Sequence, residues 1–253
     1  MKRWIIIPAR YKSKRLHGKV LMDIQGKPMV VRVWEQAMQV PNAEVVVATN
    51  DPEIADVVHG YGGTTCWTSE QNRNGMERVA EAAREIETDL HDIVMNLQAD
   101  MPFIPVQMIE DVLNSTPPFG VVTAVTKQYG HEDEYKNPHK VKVIVTENMQ
   151  AKYFSRAPIP YYVNPNQTVV WWEHIGLYSM TNKVLQAYAY RPYSTLENTE
   201  HLEQLRFYEM QVPISVREYK DVVSSINTQE DYDAIQVPVS NINWPEHTVG
   251  HVI

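Results

Sequence analysis

Apolar positions along the first half of the chain alternate between two rhythms. Trp4, Ile5, Ile6 and Ile7 form an unbroken run too short for a core helix, and a strand buried on both faces suits it. Residues 29–40 switch to helical spacing, with Val30, Val33, Trp34, Ala37 and Met38 on one face. Residues 44–49 (EVVVAT) predict a second buried strand. Asp51 as N-cap and Pro52 at the first helical position open a helix that Gly62-Gly63 ends. A third strand at 64–67, a helix at 76–86, a fourth strand at 92–97, a helix at 106–113 and a fifth strand at 120–126 follow. Strand alternating with helix predicts an α/β fold with a doubly wound, mostly parallel sheet.

After residue 130 the texture changes. Stretches 141–145, 151–154 and 169–180 read as strands joined by connections rich in proline (Pro158, Pro160, Pro165), which fits an antiparallel extension for substrate contact or dimerisation. Residues 194–210 predict one helix with a capping box, Ser194 and Glu197 standing three apart. A late strand at 213–216 and a short helix at 228–235, with Thr228 as cap and Asp231 at its third position, complete the pattern. No repeat or low-complexity linker interrupts the chain, so the expectation is one domain over residues 1–253 with an embellished second half.

Composition narrows the partners. A formal charge of −8 argues against a general binder of nucleic acid or anionic membrane. No apolar run approaches the length that spans a bilayer, and four apolar residues followed by a basic loop make no signal peptide. Cys66 is the one cysteine, so a reducing, cytoplasmic setting is expected and the thiol reads as a buried, inert one.

Against this acidic background the loop after the first strand reverses sign. Arg10, Lys12, Lys14, Arg15 and Lys19 all precede the first carboxylate, Asp23. In open α/β sheets ligands bind beyond the carboxyl ends of the strands, where this loop belongs. A polyphosphate suits such a loop, with Gly18 allowing close backbone approach; a solvated basic loop is the plainer alternative. Neither G-x-G-x-x-G nor a P-loop is present, so side chains, with or without a metal, must hold any phosphates. Asp100, at the end of the fourth strand, is either a Mg²⁺ carboxylate or a turn residue ahead of Pro102.

The stretches IIIPARYKSKRLHGK, GKPMVVRVWEQA, NGMERVAEA, LQADMPFIP, YFSRAPIPY, EHIGLYSM, STLENTEHLEQLR and SINTQEDYDAI occur in this order and span nearly the whole chain. Together they resemble the landmarks of 3-deoxy-manno-octulosonate (Kdo) cytidylyltransferases. The resemblance implies a nucleotide-diphospho-sugar transferase-like fold, with a nucleotide-binding half before about residue 130 and a sugar-binding and dimerisation half after it. It implies a Mg²⁺-dependent reaction of CTP with a 2-keto-3-deoxy sugar acid, in a homodimer that serves lipopolysaccharide synthesis. Carried over residue by residue, Arg10, Ser13 and Lys19 would grip the triphosphate. Ala9, Arg15, Arg73, Gly75 and Gln98 would contact the nucleoside or line its pocket. Arg156, His174, Tyr178 and Glu197 would face the sugar acid, with Gln98 shared, and Asp100 and Asn227 would meet the metal. Arg10, Lys19 and Asp100 would carry the catalysis. Each has a plainer reading: Glu197 closes a capping box, and His174 and Tyr178 are packing residues on one strand face.

The chain also departs from the pattern. His17 replaces a proline, Gln98-Ala99-Asp100-Met101-Pro102 lacks the usual glycine and second acid, and Ile226-Asn227-Thr228 carries an amide where an aspartate is usual. These changes suggest the branch acting on 8-amino-3,8-dideoxy-manno-octulosonate. A nucleotide-binding protein without catalysis, or a cytidylyltransferase for another acidic sugar such as a sialic acid, are the alternatives.

Overall fold

The computed structural model describes residues 1–12, 16–130, 132–164, 167–220, 223 and 225–236. Strand β1 (Arg3–Pro8) leads through the basic loop and a 3-10 turn (Lys19–Leu21) into a small hairpin, β2 (Asp23–Ile24) and β3 (Lys27–Pro28), and then α1 (Met29–Ala37). The predicted alternation follows: β4 (Glu44–Thr49), α2 (Pro52–Gly60), β5 (Thr65–Trp67), α3 (Gly75–Glu85), β6 (Ile93–Leu97), α4 (Val106–Asn114) and β7 (Val121–Tyr129). The second half adds α5 (Glu132–Lys136), β8 (Lys142–Val145), β9 (Ala151–Ser155), β10 (Val170–Thr181), α6 (Asn182–Tyr190), α7 (Thr195–Glu200), α8 (Leu205–Glu209), β11 (Ile214–Tyr219) and α9 (Gln229–Gln236).

The strands order as β11-β7-β10-β6-β1-β4-β5, with β8 and β9 joined at β10. β1 lies parallel to both β4 and β6, and its apolar run feeds both faces as a doubly wound sheet requires. Ile5 and Ile7 pack with Val30 and Val33 of α1, whereas Ile6 packs with Val79 and Ala83 of α3.

β10 is no appendage. It runs antiparallel between β6 and β7, pairing Leu177 with Leu97 and Ile175 with Ala124, so the two halves of the chain share one sheet. A register shift against β7 falls between Ile175 and Tyr178. In an undistorted strand, residues four apart lie about 13 Å from each other. Here the rings of His174 and Tyr178 are 5.4 Å apart, because the irregularity re-aims the strand.

Local expectations fail where tertiary partners compete. The helix predicted over 194–210 is two, since His201 adopts a left-handed conformation (φ 52°, ψ 47°) and ends α7. Arg156 holds that break, its guanidinium donating to the carbonyls of Glu200 and His201. Asp51 occupies the N-cap position of α2 ahead of Pro52 as expected, but its side chain makes no capping bond; its carboxylate accepts the backbone N–H of Tyr11 at 2.8 Å and so ties the basic loop to the end of β4. α6 was not expected, because its nine residues follow β10 without a Gly or Pro to mark the change. The cap before α9 is as predicted: Asp231 receives the N–H of Thr228, and Thr228 Oγ1 that of Asp231.

Candidate active site

A cleft of about 630 Å³ opens beyond the carboxyl ends of β1 and β6. At one end Gln98 follows β6 and meets Gly75, the first residue of α3. A Cβ at residue 75 would lie 3.1 Å from Gln98 Nε2 and 3.3 Å from Pro8 Cγ, so any larger residue would require these side chains to give by a few tenths of an ångström. Asn74 caps α3, accepting the N–H of Glu77 at 2.8 Å. Arg73 forks onto Glu77 and stacks on Tyr193, with 4.1 Å between the guanidinium carbon and the ring centre.

Lys19 reaches the floor of this end. Its Nζ lies 2.8 Å from Asp100 Oδ2 and 3.4 Å from Asn227 Oδ1. The backbone brings the last two together, since Ile226 N–H donates to the carbonyl of Asp100 at 2.9 Å. Asp231 then fixes Asn227 by accepting its N–H. Two hard oxygens therefore converge on one cationic point, a donor set suited to Mg²⁺. Among the described residues no group of three or more His, Cys, Asp or Glu is placed to hold a metal, so substrate phosphates would have to complete its shell.

The other end is shaped by β10 and the α7–α8 turn. Thr123 gives its hydroxyl proton to the carbonyl of Leu177 at 2.7 Å, so it accepts Nε2–H of His174 at 2.9 Å. His174 Nδ1 is thereby a bare acceptor. Burial lowers the His174 pKa from 6.5 to about 3, so the ring is neutral at physiological pH. Burial likewise raises the Tyr178 phenol well above its ordinary range, and its O–H donates to Gln204 Oε1 at 3.1 Å. Arg156 borders the cleft.

Glu197 also lines the cleft but is held from behind. Its carboxylate takes two bonds from Arg206, at 2.6 and 2.7 Å, and one from Asn74 at 2.9 Å. Arg206, 1% exposed, also grips Glu77 at 2.9 Å, so a buried ionic chain joins both ends of the site. Burial opposes its charge, yet the hydrogen bonds it donates to Glu197 raise its pKa above the ordinary range. Glu203 accepts from Met76 N–H at 3.0 Å and from Gln98 Nε2 at 3.1 Å; burial raises its pKa from 4.5 to about 7.

The cleft thus gathers Arg10, Arg73, Gly75, Gln98, Asp100, Arg156, His174, Tyr178, Glu197 and Asn227 from the predicted set, and Lys19 touches two of them. Ala9 is buried behind the lining, its N–H bonded to the carbonyl of Ala48. Ser13 and Arg15 lie outside the described residues. Sequence reasoning passed over Glu173, Tyr193, Glu203 and Gln204, all of which line the cleft. A signal existed for two of them: the polar pair Glu203-Gln204 interrupts the apolar spacing of HLEQLRF.

Residues 4–218 match the family model described as cytidylyltransferase. The chain is 41% identical over 243 residues to a 3-deoxy-manno-octulosonate cytidylyltransferase of Neisseria meningitidis serogroup A, covering 92% of this chain and 96% of the relative. It is 40% identical to the enzyme of that name from Chlorobium chlorochromatii, covering 92% and 94%. Among solved structures it resembles a CMP:2-keto-3-deoxy-manno-octonic acid synthetase complexed with CTP. There the TM-score is 0.84 and the identity 36%, over 93% of this chain and 97% of the other.

Proposed function

The chain belongs to the cytidylyltransferase family, and we propose that it transfers CMP from CTP to a 2-keto-3-deoxy sugar acid of the Kdo type, releasing pyrophosphate. The observation that carries this reading is one cleft with two chemically different ends. Cationic Arg10, Lys19 and Arg73 gather at one, and a neutral frame of His174 and Tyr178 beside Arg156 forms the other. Arg10 and Lys19 neutralise the triphosphate, and Gln98 with Gly75 shapes the nucleoside side. The sugar's anomeric oxygen is held in line with the α-phosphorus. Its bond to phosphorus forms as the bond to the departing pyrophosphate oxygen breaks, and the hydroxyl proton is released. With a pKa of about 3, His174 accepts a hydrogen bond and does not store that proton.

Asp100 and Asn227 would hold Mg²⁺ through a carboxylate and an amide oxygen, and the ion would supply charge neutralisation at the phosphates. The amide at 227 in place of a second carboxylate supports preference for a sugar that makes an additional contact, namely the 8-amino form. A cytoplasmic homodimer completes the reading. Its support is the exposed apolar surface at Tyr129, Tyr161 and Val163, exposed by 58%, 85% and 85%.

Pyrophosphate release from CTP with Mg²⁺ and a panel of Kdo, its 8-amino analogue and a sialic acid tests the proposal. Turnover of a Kdo-type acid is expected. CTP binding with no turnover would leave a nucleotide-binding protein, and turnover of the sialic acid alone would move the enzyme to another acidic sugar.

A further inference from the structure

One nitrogen of Arg206 serves two acids. Its Nη2 carries two protons and gives one to Glu77 Oε1 at 2.9 Å and the other to Glu197 Oε1 at 2.7 Å. Glu77 Oε1 is itself shared, since it also accepts Nη2 of Arg73. Glu197 Oε1 is shared as well, taking Nδ2 of Asn74 at 2.9 Å, while Asn74 Oδ1 accepts the N–H of Glu77 at 2.8 Å. Single atoms therefore link Arg73, Glu77, Arg206, Glu197 and Asn74 in a chain that closes on the first turn of α3. Arg73 and Glu197 both line the cleft, but the cationic links differ in access: 42% of the Arg73 side chain is exposed, against 1% for Arg206. Burial opposes the charge on Glu77, yet the bonds from Arg73 and Arg206 hold its pKa below the ordinary carboxylate range. Two guanidinium groups face two carboxylates, so drawing one cation off leaves the acids to compete for the other.

We propose that Arg206 is a positioning residue that couples the two ends of the cleft, so that a nucleotide drawing Arg73 off Glu77 tightens the binding of the second substrate. An acceptor oxygen of the bound nucleotide takes the exposed guanidinium of Arg73. Glu77 then claims a larger share of Arg206, and Glu197, less firmly held, becomes available as an acceptor toward the cleft. The assignment rests on the functional reading above, since the two ligands it links are CTP and the sugar acid. By linkage the effect runs both ways, and the sugar acid tightens CTP by the same factor.

Calorimetry with CTP, Mg²⁺ and the 2-deoxy analogue of Kdo or of its 8-amino form tests this, because an analogue without the attacking hydroxyl binds without turnover. In the wild type, saturating CTP is expected to tighten analogue binding about fivefold or more, and saturating analogue to tighten CTP equally. Arg73→Gln takes the first cation off Glu77 permanently. Without CTP it should bind the analogue within about twofold of the affinity that the wild type reaches with CTP, and its coupling factor should fall toward one. Arg206→Lys keeps the charge but loses the fork that holds both acids, and its factor should lie within about twofold of one. A purely structural role would lower the melting temperature of either variant and leave the factor unchanged. Arg73→Gln alters an exposed side chain, so it decides the question should Arg206→Lys fold poorly. Coupling of about fivefold or more that survives in Arg73→Gln overturns the assignment. A wild type that binds both ligands independently overturns the assignment alone, whereas one that binds neither analogue overturns the functional reading and the assignment with it.

Discussion

Lys19 Nζ lies 2.8 Å from Asp100 Oδ2, joining the basic loop after β1 to the end of β6 across 81 positions of sequence. The pair is largely buried, with 12% and 22% of the two side chains exposed, so each charge depends on the other or on a ligand. A lysine that neutralises an acid can turn to phosphate oxygens once a cation reaches that acid.

From this follows a separation of binding from stability. Arg10→Ala and Lys19→Ala should each weaken CTP binding by about 1.5–3 kcal/mol, the range for bonds to charged groups. Arg10 is exposed, so its variant should keep the wild-type melting temperature. Calorimetric titration and thermal denaturation check the two halves; unchanged CTP affinity in both variants would remove the loop from the site.

Asp100→Asn should nearly abolish turnover while the far-ultraviolet circular dichroism stays that of the wild type. Among the described residues its carboxylate is bonded by Lys19, and an amide oxygen can still accept from that ammonium. An active Asp100→Asn protein would place the metal elsewhere.

At residue 227 the amide has lost a charge beside the proposed metal. The expected result is a higher kcat/KM with 8-amino-3,8-dideoxy-manno-octulosonate than with Kdo, since an ammonium supplies donors that a hydroxyl cannot. Asn227→Asp should strengthen Mg²⁺ dependence, seen as a lower half-saturating Mg²⁺ concentration. Equal or better use of Kdo by the wild type would refute the amino-sugar preference.

Glu203 sets a pH dependence of stability. Burial raises its pKa from 4.5 to about 7, so between these values the folded state holds a proton that the unfolded chain has lost. Stability falls as pH rises through that window, by roughly 3 kcal/mol in all if the whole shift is expressed. Glu203→Gln keeps the neutral shape. Its melting temperature should match the wild type near pH 4.5 and exceed it progressively up to pH 7 and above. A pH-independent difference would show that the carboxyl ionises freely in the fold.

Arg206→Met leaves Glu197 and Glu77 without their shared buried cation. Breaking such a pair costs about 3–5 kcal/mol, which in a chain of this size lowers the melting temperature by roughly 6–20 °C. Loss below about 1 kcal/mol would mean that the two acids find other partners.

The sequence by itself determined the strand–helix alternation of the first half, the cationic loop and the capped turn before α9. These depend on spacing and capping within a few residues, which a linear pattern records. It also named most of the cleft, because the landmark stretches sit where strands end. Tertiary structure decided the rest. Nothing local tells β10 to enter antiparallel between β6 and β7, because that choice is made by partners near residues 97 and 124. His201 breaks a helix that spacing favours because Arg156, 45 positions away, takes its carbonyl. Glu197 reads as a cap or a sugar contact in sequence, yet the fold seats Arg206 against it in a buried site where an unpaired carboxylate would be costly. Asp100 and Asn227 meet because one backbone hydrogen bond, from Ile226 to Asp100, closes the distance between them.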